Sequence, residues 1–398
     1  MTGVTHPELV WAARFFTRDT GIMDGISLAC GVGDHLLTAM DGEGITENTV
    51  FDLASVTKLF TGLCAMCLKQ EGLLDFSRPV ADYDPRFRFL RSVSVGQLMA
   101  FAVCVRTPVR LDACATREEA RQALFDSKAE GEPGKRAYSD IPAMILKYVL
   151  EAASGRPLAE CVRQRVLAPA GMEETWARVP EERLRDCLRY GPEYRLEQGR
   201  RILRPAPAPG VPHDPKAGLL QGNTGDLCGH AGLFSTRGDL VRFCRAVMAG
   251  KILSREGLRE MAVNRTGRRL PDGTYTQFLG YQCYLRHPDQ YFSEIPAYMG
   301  QGAFGIAGFT GNHLSVDPAR GVFCLMLGNR VRGRLTALIP EEGKTLADYG
   351  LAPDGLGRFR WEPDTELPSS VNYVHQKDAH LHRAVAAALG LSEIPFGS

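Results

Sequence analysis

The sequence predicts an α/β protein, more strictly α+β: a largely antiparallel sheet flanked by helices, with an inserted, mainly helical lobe. Three observations carry this reading. Strand-like runs stand near both ends of the chain, helix-period segments fill the middle, and 398 residues exceed what one compact core usually holds. Strands at both ends with helices between suggest one sheet built from both termini, and residues 1–75 and 225–398 are expected to form the sheet domain and 76–224 the helical one.

Residues 26–40 read as two short strands around a Gly-containing turn. From Ser55 to Gln70, the apolar residues Val56, Leu59, Phe60, Leu63, Cys64, Cys67 and Leu68 recur at spacings of three and four, with Gly72 just past the end. Further helices are expected over Ser139–Ala153, Pro157–Ala168, Arg237–Ala249 and roughly Gln376–Leu389. The stretch 204–216 is Pro-rich and reads as a long surface loop. His313–Val316 and Val322–Leu327 read as strands joined by a turn at Asp317-Pro318-Ala319-Arg320-Gly321.

Composition narrows the function. Forty-seven basic and 46 acidic residues nearly cancel, which argues against binding to nucleic acid or anionic membranes through a basic surface. No apolar run approaches the roughly 20 residues that span a bilayer, and Met1–Arg18 lacks the layout of a secretion signal. Eleven cysteines, an odd number, do not form a disulfide framework, and a cytoplasmic location is expected. Cys64 and Cys67 make a C-x-x-C without a second pair at zinc spacing, so they read as core thiols.

Ser55-Val56-Thr57-Lys58 is the informative motif. Three residues is nearly one helical turn, so the hydroxyl and the amine can share a face. Ser55 also stands where free N–H groups and the helix dipole favour developing negative charge. A serine alcohol is a weak nucleophile and needs a base to take its proton. S-x-x-K alone is expected about once by chance in a chain this long.

Its surroundings change the weight of the motif. Phe51-Asp52-Leu53-Ala54-Ser55-Val56-Thr57-Lys58 with Glu71-Gly72-Leu73-Leu74-Asp75, then Pro133-Gly134-Lys135-Arg136-Ala137-Tyr138-Ser139-Asp140, Leu167–Met172, Gly229–Thr236 and Phe304–Gly311 come in order along residues 25–330. In this the chain resembles the serine beta-lactamase-like hydrolases, a superfamily of class C beta-lactamases, penicillin-binding proteins, D-Ala-D-Ala peptidases and esterases. The resemblance implies a beta-lactamase/transpeptidase-like fold and a Ser55 acyl-enzyme, with Lys58 and Tyr138 handling the proton. It also implies an oxyanion hole from the N–H groups of Ser55 and Phe309, and neither metal nor organic cofactor. Asp140, Ile306, Ala307 and Gly308 fall at substrate-binding positions of the motifs.

Two departures from the family pattern shape the expectation. The second motif ends in Asp140 instead of Asn, and an ionised carboxylate only accepts hydrogen bonds. Near Lys58 it would favour the ammonium, leaving Tyr138 as the expected general base. The third motif reads Ile306-Ala307-Gly308, so the cation and hydroxyl that help hold a substrate carboxylate in penicillin-recognising relatives are gone. A small neutral ester or amide is therefore the expected substrate. A D-amino-acid peptidase or beta-lactamase is the alternative, and a catalytically silent ligand-binding relative is a second one. A protein partner is not called for.

Other signals carry less. Leu98–Cys104 replaces a polar stretch of the relatives, either remodelling a pocket wall or packing more densely. Residues 331–371 either cap the cleft or form a surface excursion. Gly300–Gly305 matches the letters of a dinucleotide fingerprint, but no helix opens after it. His380 and His382, two apart, do not suit a metal site. His230 and His213-Asp214 could line the cleft, although turn-stabilising hydrogen bonds are the commoner duty. His313 has even odds of facing the pocket.

Overall fold

The computed structural model describes residues 3–130, 138–289 and 294–397. Pro133–Ala137 of the second motif lie outside them. The main sheet has seven strands in the spatial order Val4–Thr5, His35–Gly42, Gly25–Val32, Val322–Gly328, Asn312–Asp317, Phe304–Gly308 and Tyr284–Leu285. Every pairing is antiparallel except that of Val4–Thr5 with His35–Gly42. N- and C-terminal chain segments meet at the centre, where Gly25–Val32 pairs with Val322–Gly328 and Cys30 stands opposite Cys324.

The sheet is covered on both faces, which explains the unbroken apolar run Val322–Leu327. Along that strand Phe323, Leu325 and Leu327 enter the core shared with the helical part, while Val322, Cys324 and Met326 point the other way. The side-chain period of a strand requires this alternation. The second face packs against the helices Pro7–Arg14 and His382–Leu389.

The helix Thr57–Gln70 runs through the first core, and every residue from Thr57 to Leu68 is buried. Its apolar spacing therefore marks a helix surrounded by protein on all sides. Gly62 is required there, because a Cβ would come within 2.8 Å of Gln282 Cβ. The helix Ile141–Ser154 packs against it and ends at Gly155 in a left-handed conformation. Cys64 and Cys67 are free and buried in this core.

The chain also forms an element the sequence analysis did not foresee. Glu193–Glu197 and Arg200–Arg204 form a hairpin inside the otherwise mainly helical stretch 76–224, and Arg334–Ile339 pairs with it in parallel. The hairpin turns through Gln198 and Gly199, both at positive φ, as a two-residue turn demands.

Candidate active site

The site starts from a strained turn. After the short strand Phe51–Asp52 the chain passes through Ala54 at φ +46°, then Ser55, and enters the helix at Thr57. A left-handed alanine costs about 1 kcal/mol or more and persists only where its neighbours over-determine it. Asp52 supplies that constraint. Its buried carboxylate accepts the N–H groups of Ala54 at 2.9 Å and His213 at 2.7 Å. Its carbonyl accepts Thr310 Oγ1 at 3.0 Å and Asn312 Nδ2 at 2.7 Å. Burial pushes the Asp52 carboxyl up to about 6, although the two N–H donors oppose the rise. The turn lifts Ser55 to a half-buried position at the wall of a cavity of about 520 Å³.

Lys58 lies one turn further on and is fully buried. Its Nζ donates to Ser55 Oγ at 2.8 Å and to Asp140 Oδ1 at 2.8 Å, and sits 5.1 Å from the centre of the Tyr138 ring. Burial works against its charge, yet Asp140 and the Tyr138 phenol outweigh burial and hold Lys58 above the usual lysine value. Asp140 Oδ2 in turn meets Lys216 Nζ at 3.0 Å, which also meets Asp214 Oδ2 at 3.0 Å. His230 Nε2 contacts Asp214 Oδ1 at 2.9 Å. Burial alone would raise Asp140 and Asp214; the neighbouring Lys58, Lys216 and His230 instead hold Asp140 far below the carboxylate range, and Lys216 and His230 do the same for Asp214.

Ser55, Tyr138, Ser139, Asp140, His213, Asp214, Lys216, Phe309 and Thr310 all border this cavity. Arg110, Asp112, Arg195 and Arg204 line it too. Arg110 pairs with Asp112 at 2.8 Å, Arg195 with Glu197 at 2.8 Å and Glu193 at 3.1 Å, and Arg204 more loosely with Asp112 at 3.5 Å. Each lining cation thus already faces a carboxylate.

Of the residues the sequence singled out, Ser55, Lys58, Tyr138, Asp140 and Phe309 come together here. Ile306, Ala307 and Gly308 do not. Ile306 is fully buried in the core, Ala307 faces His313 across the strand pair, and none of the three borders the cavity. Gly308 serves the backbone instead: a Cβ there would lie 2.6 Å from the carbonyl of Leu53, in the turn that carries Ser55. His313 points to the opposite face of the sheet, where its Nδ1 lies 3.5 Å from the buried Lys377. Within Leu98–Cys104, Phe101 is fully buried and its ring lies 5.0 Å from that of the cavity-lining Tyr138. His213 and Asp214 take part in the site beyond stabilising a turn. Asp214 caps the short helix Pro215–Leu220, so the Pro-rich loop ends in structure. The Asp-Pro pair was a helix-start signal present in the sequence; nothing local marked Lys216.

Two groups of possible metal donors exist among the described residues: Asp140, Asp214 and His230, and His313, Cys324 and His382. Each already holds a lysine ammonium, Lys216 in the first and Lys377 in the second.

The beta-lactamase family model matches residues 13–342, and the chain belongs to that family. It is a hydrolase of the serine beta-lactamase fold. A Salmonella typhimurium protein named "Putative D-alanyl-D-alanine carboxypeptidase" is 26% identical over 321 residues, 72% of this chain and 70% of the relative. Among solved structures, EstCE1, described as a hydrolase with promiscuous acyltransferase activity, superposes with a TM-score of 0.64 at 18% identity, covering 81% of this chain and 92% of its own. D-amino acid amidase from Ochrobactrum anthropi SV3 gives 0.62 at 17% identity over 96% and 98%. Among the described residues, no helix is long and apolar enough to cross a membrane.

Proposed function

We propose that this protein hydrolyses small, uncharged esters or amides through an acyl-enzyme on Ser55. The observation that carries the reading is the 2.8 Å contact between Ser55 Oγ and Lys58 Nζ at the edge of a cavity shared with Tyr138 and Phe309. Ser55 Oγ attacks the substrate carbonyl carbon while its proton passes to the Tyr138 oxygen. Tyr138 must have given up its own proton beforehand to accept this one, a form that the charged Lys58 beside it favours while orienting the alcohol. The N–H groups of Ser55 and Phe309 receive the developing oxyanion. Tyr138 then protonates the leaving group, and water, activated the same way, releases the acid.

An uncharged substrate is favoured because the cavity offers no uncommitted cation among its described lining residues. A substrate carboxylate would have to share Arg110, Arg195, Arg204 or Lys216 with the carboxylates these already face. Asp112, Asp140 and Asp214 among the lining residues favour a second reading, a D-aminoacyl amide or peptide whose amino group meets a carboxylate. The similarity to the amidase and to the Salmonella protein supports it too. Eleven unpaired cysteines suit the reducing cytoplasm, where we place the reaction.

The test is a panel of nitrophenyl esters, D-aminoacyl amides and nitrocefin, with a fluorophosphonate probe. Turnover of the esters should fall at least ~1,000-fold in Ser55→Ala, and probe labelling should vanish. Equal turnover by Ser55→Ala rejects the acyl-enzyme, and labelling without turnover would indicate a ligand-binding relative. Nitrocefin hydrolysis faster than that of the esters overturns the substrate class.

A further inference from the structure

Asp140 poses a chemical problem for the site. Its Oδ1 sits 2.8 Å from Lys58 Nζ, so its charge keeps protons on Lys58 and opposes a phenolate at Tyr138. Whichever group takes the Ser55 proton, less of the site is then in its deprotonated form at neutral pH. The structure contains an offsetting charge on the carboxylate's far side. Lys216 Nζ, on a side chain that is 20% exposed, contacts Asp140 Oδ2 at 3.0 Å.

That lysine is held in place by a built support. Asp214 Oδ1 accepts the main-chain N–H of Lys216 and of Ala217, each at 3.0 Å, while Oδ2 binds the Lys216 ammonium. Pro215 fixes the backbone between them, and His230 Nε2 steadies Asp214 from behind at 2.9 Å. Charges of opposite sign therefore alternate through the site, Lys58, Asp140, Lys216 and Asp214, with the His230 ring against the last. The other ionisable neighbours are Tyr138 beside Lys58, Asp52, which accepts the His213 N–H and feels both Asp214 and His230, His213 itself with Glu193 3.6 Å from its ring, and Asp112 with Arg110 and Arg204.

We propose that Lys216 is a positioning residue of the reaction: it neutralises Asp140 from the far side, so that Asp140 can orient Lys58 without shutting down the proton acceptor of Ser55. The inference rests on the Ser55 reading and adds a second lysine to it. Removing a cation raises the pKa of any base in the site, so the sign of the effect is the same whether Tyr138 or Lys58 accepts the proton.

The experiment is the pH profile of kcat/KM for a neutral nitrophenyl ester in wild type, Lys216→Met, Lys216→Arg, Asp140→Asn and the double variant Asp140→Asn/Lys216→Met. Lys216→Met should move the acid limb upward by about 1–2 pH units and lower kcat/KM at pH 7 at least tenfold, while Lys216→Arg keeps the limb. Asp140→Asn should move the limb down, and the double variant should return it to near the wild-type position. Melting temperatures measured alongside separate this from a structural role. An unmoved limb in a folded Lys216→Met, or a double variant no closer to wild type than Lys216→Met alone, overturns the proposal. If Lys216→Met does not fold, Lys216→Gln takes its place, with the same upward shift expected and an unmoved limb again overturning the proposal. Wild type that fails to turn over any ester sinks the Ser55 reading itself, an outcome distinct from all of these.

Discussion

Asp52 is where the site meets the stability of the fold. Its side chain constrains Ala54 and His213, and its carbonyl ties the Ser55 turn to the turn after Gly308. Burial raises its carboxyl to about 6, and the unfolded chain restores the ordinary value near 4. Below pH 4 both states are protonated and nothing is lost. Between pH 4 and 6 the unfolded state releases its proton first, so wild type loses stability as pH rises, on the order of 2–3 kcal/mol from this group. Asp52→Asn removes the titration, although it carries a constant penalty for replacing an acceptor. The melting temperature of Asp52→Asn minus that of wild type should therefore increase between pH 4 and 6.5. A difference that stays flat, or falls, means Asp52 does not titrate as its burial implies.

At the scale of elements, the turn after the strand Phe304–Gly308 is held from two directions. The Gly308 carbonyl belongs to the peptide unit that carries the Phe309 N–H, and it accepts the Tyr373 hydroxyl at 2.9 Å. The Phe309 carbonyl accepts Arg330 Nε at 2.6 Å, and the Arg330 guanidinium lies 4.3 Å from the Phe309 ring and 4.2 Å from the Tyr373 ring. If the Phe309 N–H stabilises an oxyanion, Tyr373→Phe should lower kcat about tenfold with KM nearly unchanged, in steady-state assays on a nitrophenyl ester. A rise in KM alone would assign Tyr373 to substrate binding. The strand and the Gly-Phe step were readable because alternation and a glycine are local signals. Tyr373 and Arg330 were not, since their partners are fixed only once the C-terminal segment docks against the sheet. Likewise Ser55, Lys58 and Tyr138 stood in recognisable motifs, whereas Lys216 joins Asp140 across 76 positions of sequence and left no local trace. Ile306 was misplaced for a related reason: a motif position specifies a strand residue, but the pleat decides which face it takes, and here that face is the core.

Across the whole molecule, two chain segments far apart in sequence build one wall of the cavity. The hairpin Glu193–Glu197 and Arg200–Arg204 supplies Arg195 and Arg204, while Arg334–Ile339 and the strands Arg358–Glu362 and Thr365–Pro368 support it from behind. Leu196, Leu335, Leu351, Phe359, Trp361 and Leu367 form the core between them. Residues 331–371 thus neither cap the cleft nor stray from it; they hold a side of it in place. The sequence concealed this because the pairing is parallel and long-range, and the two-residue turn uses Gln198 where Asn or Asp would have signalled a hairpin. The arrangement separates substrate fit from chemistry, because this satellite core touches the wall and not Ser55, Lys58 or Tyr138. Trp361→Ala should cost about 3 kcal/mol of stability in this lobe and let the Arg195–Arg204 wall move. KM for a nitrophenyl ester should then rise several-fold while kcat and the rate of fluorophosphonate labelling at Ser55 stay near wild type. A collapse of kcat at unchanged KM would show instead that the lobe acts on the reacting groups themselves, through Phe309, whose ring lies 6.0 Å from the Arg195 guanidinium.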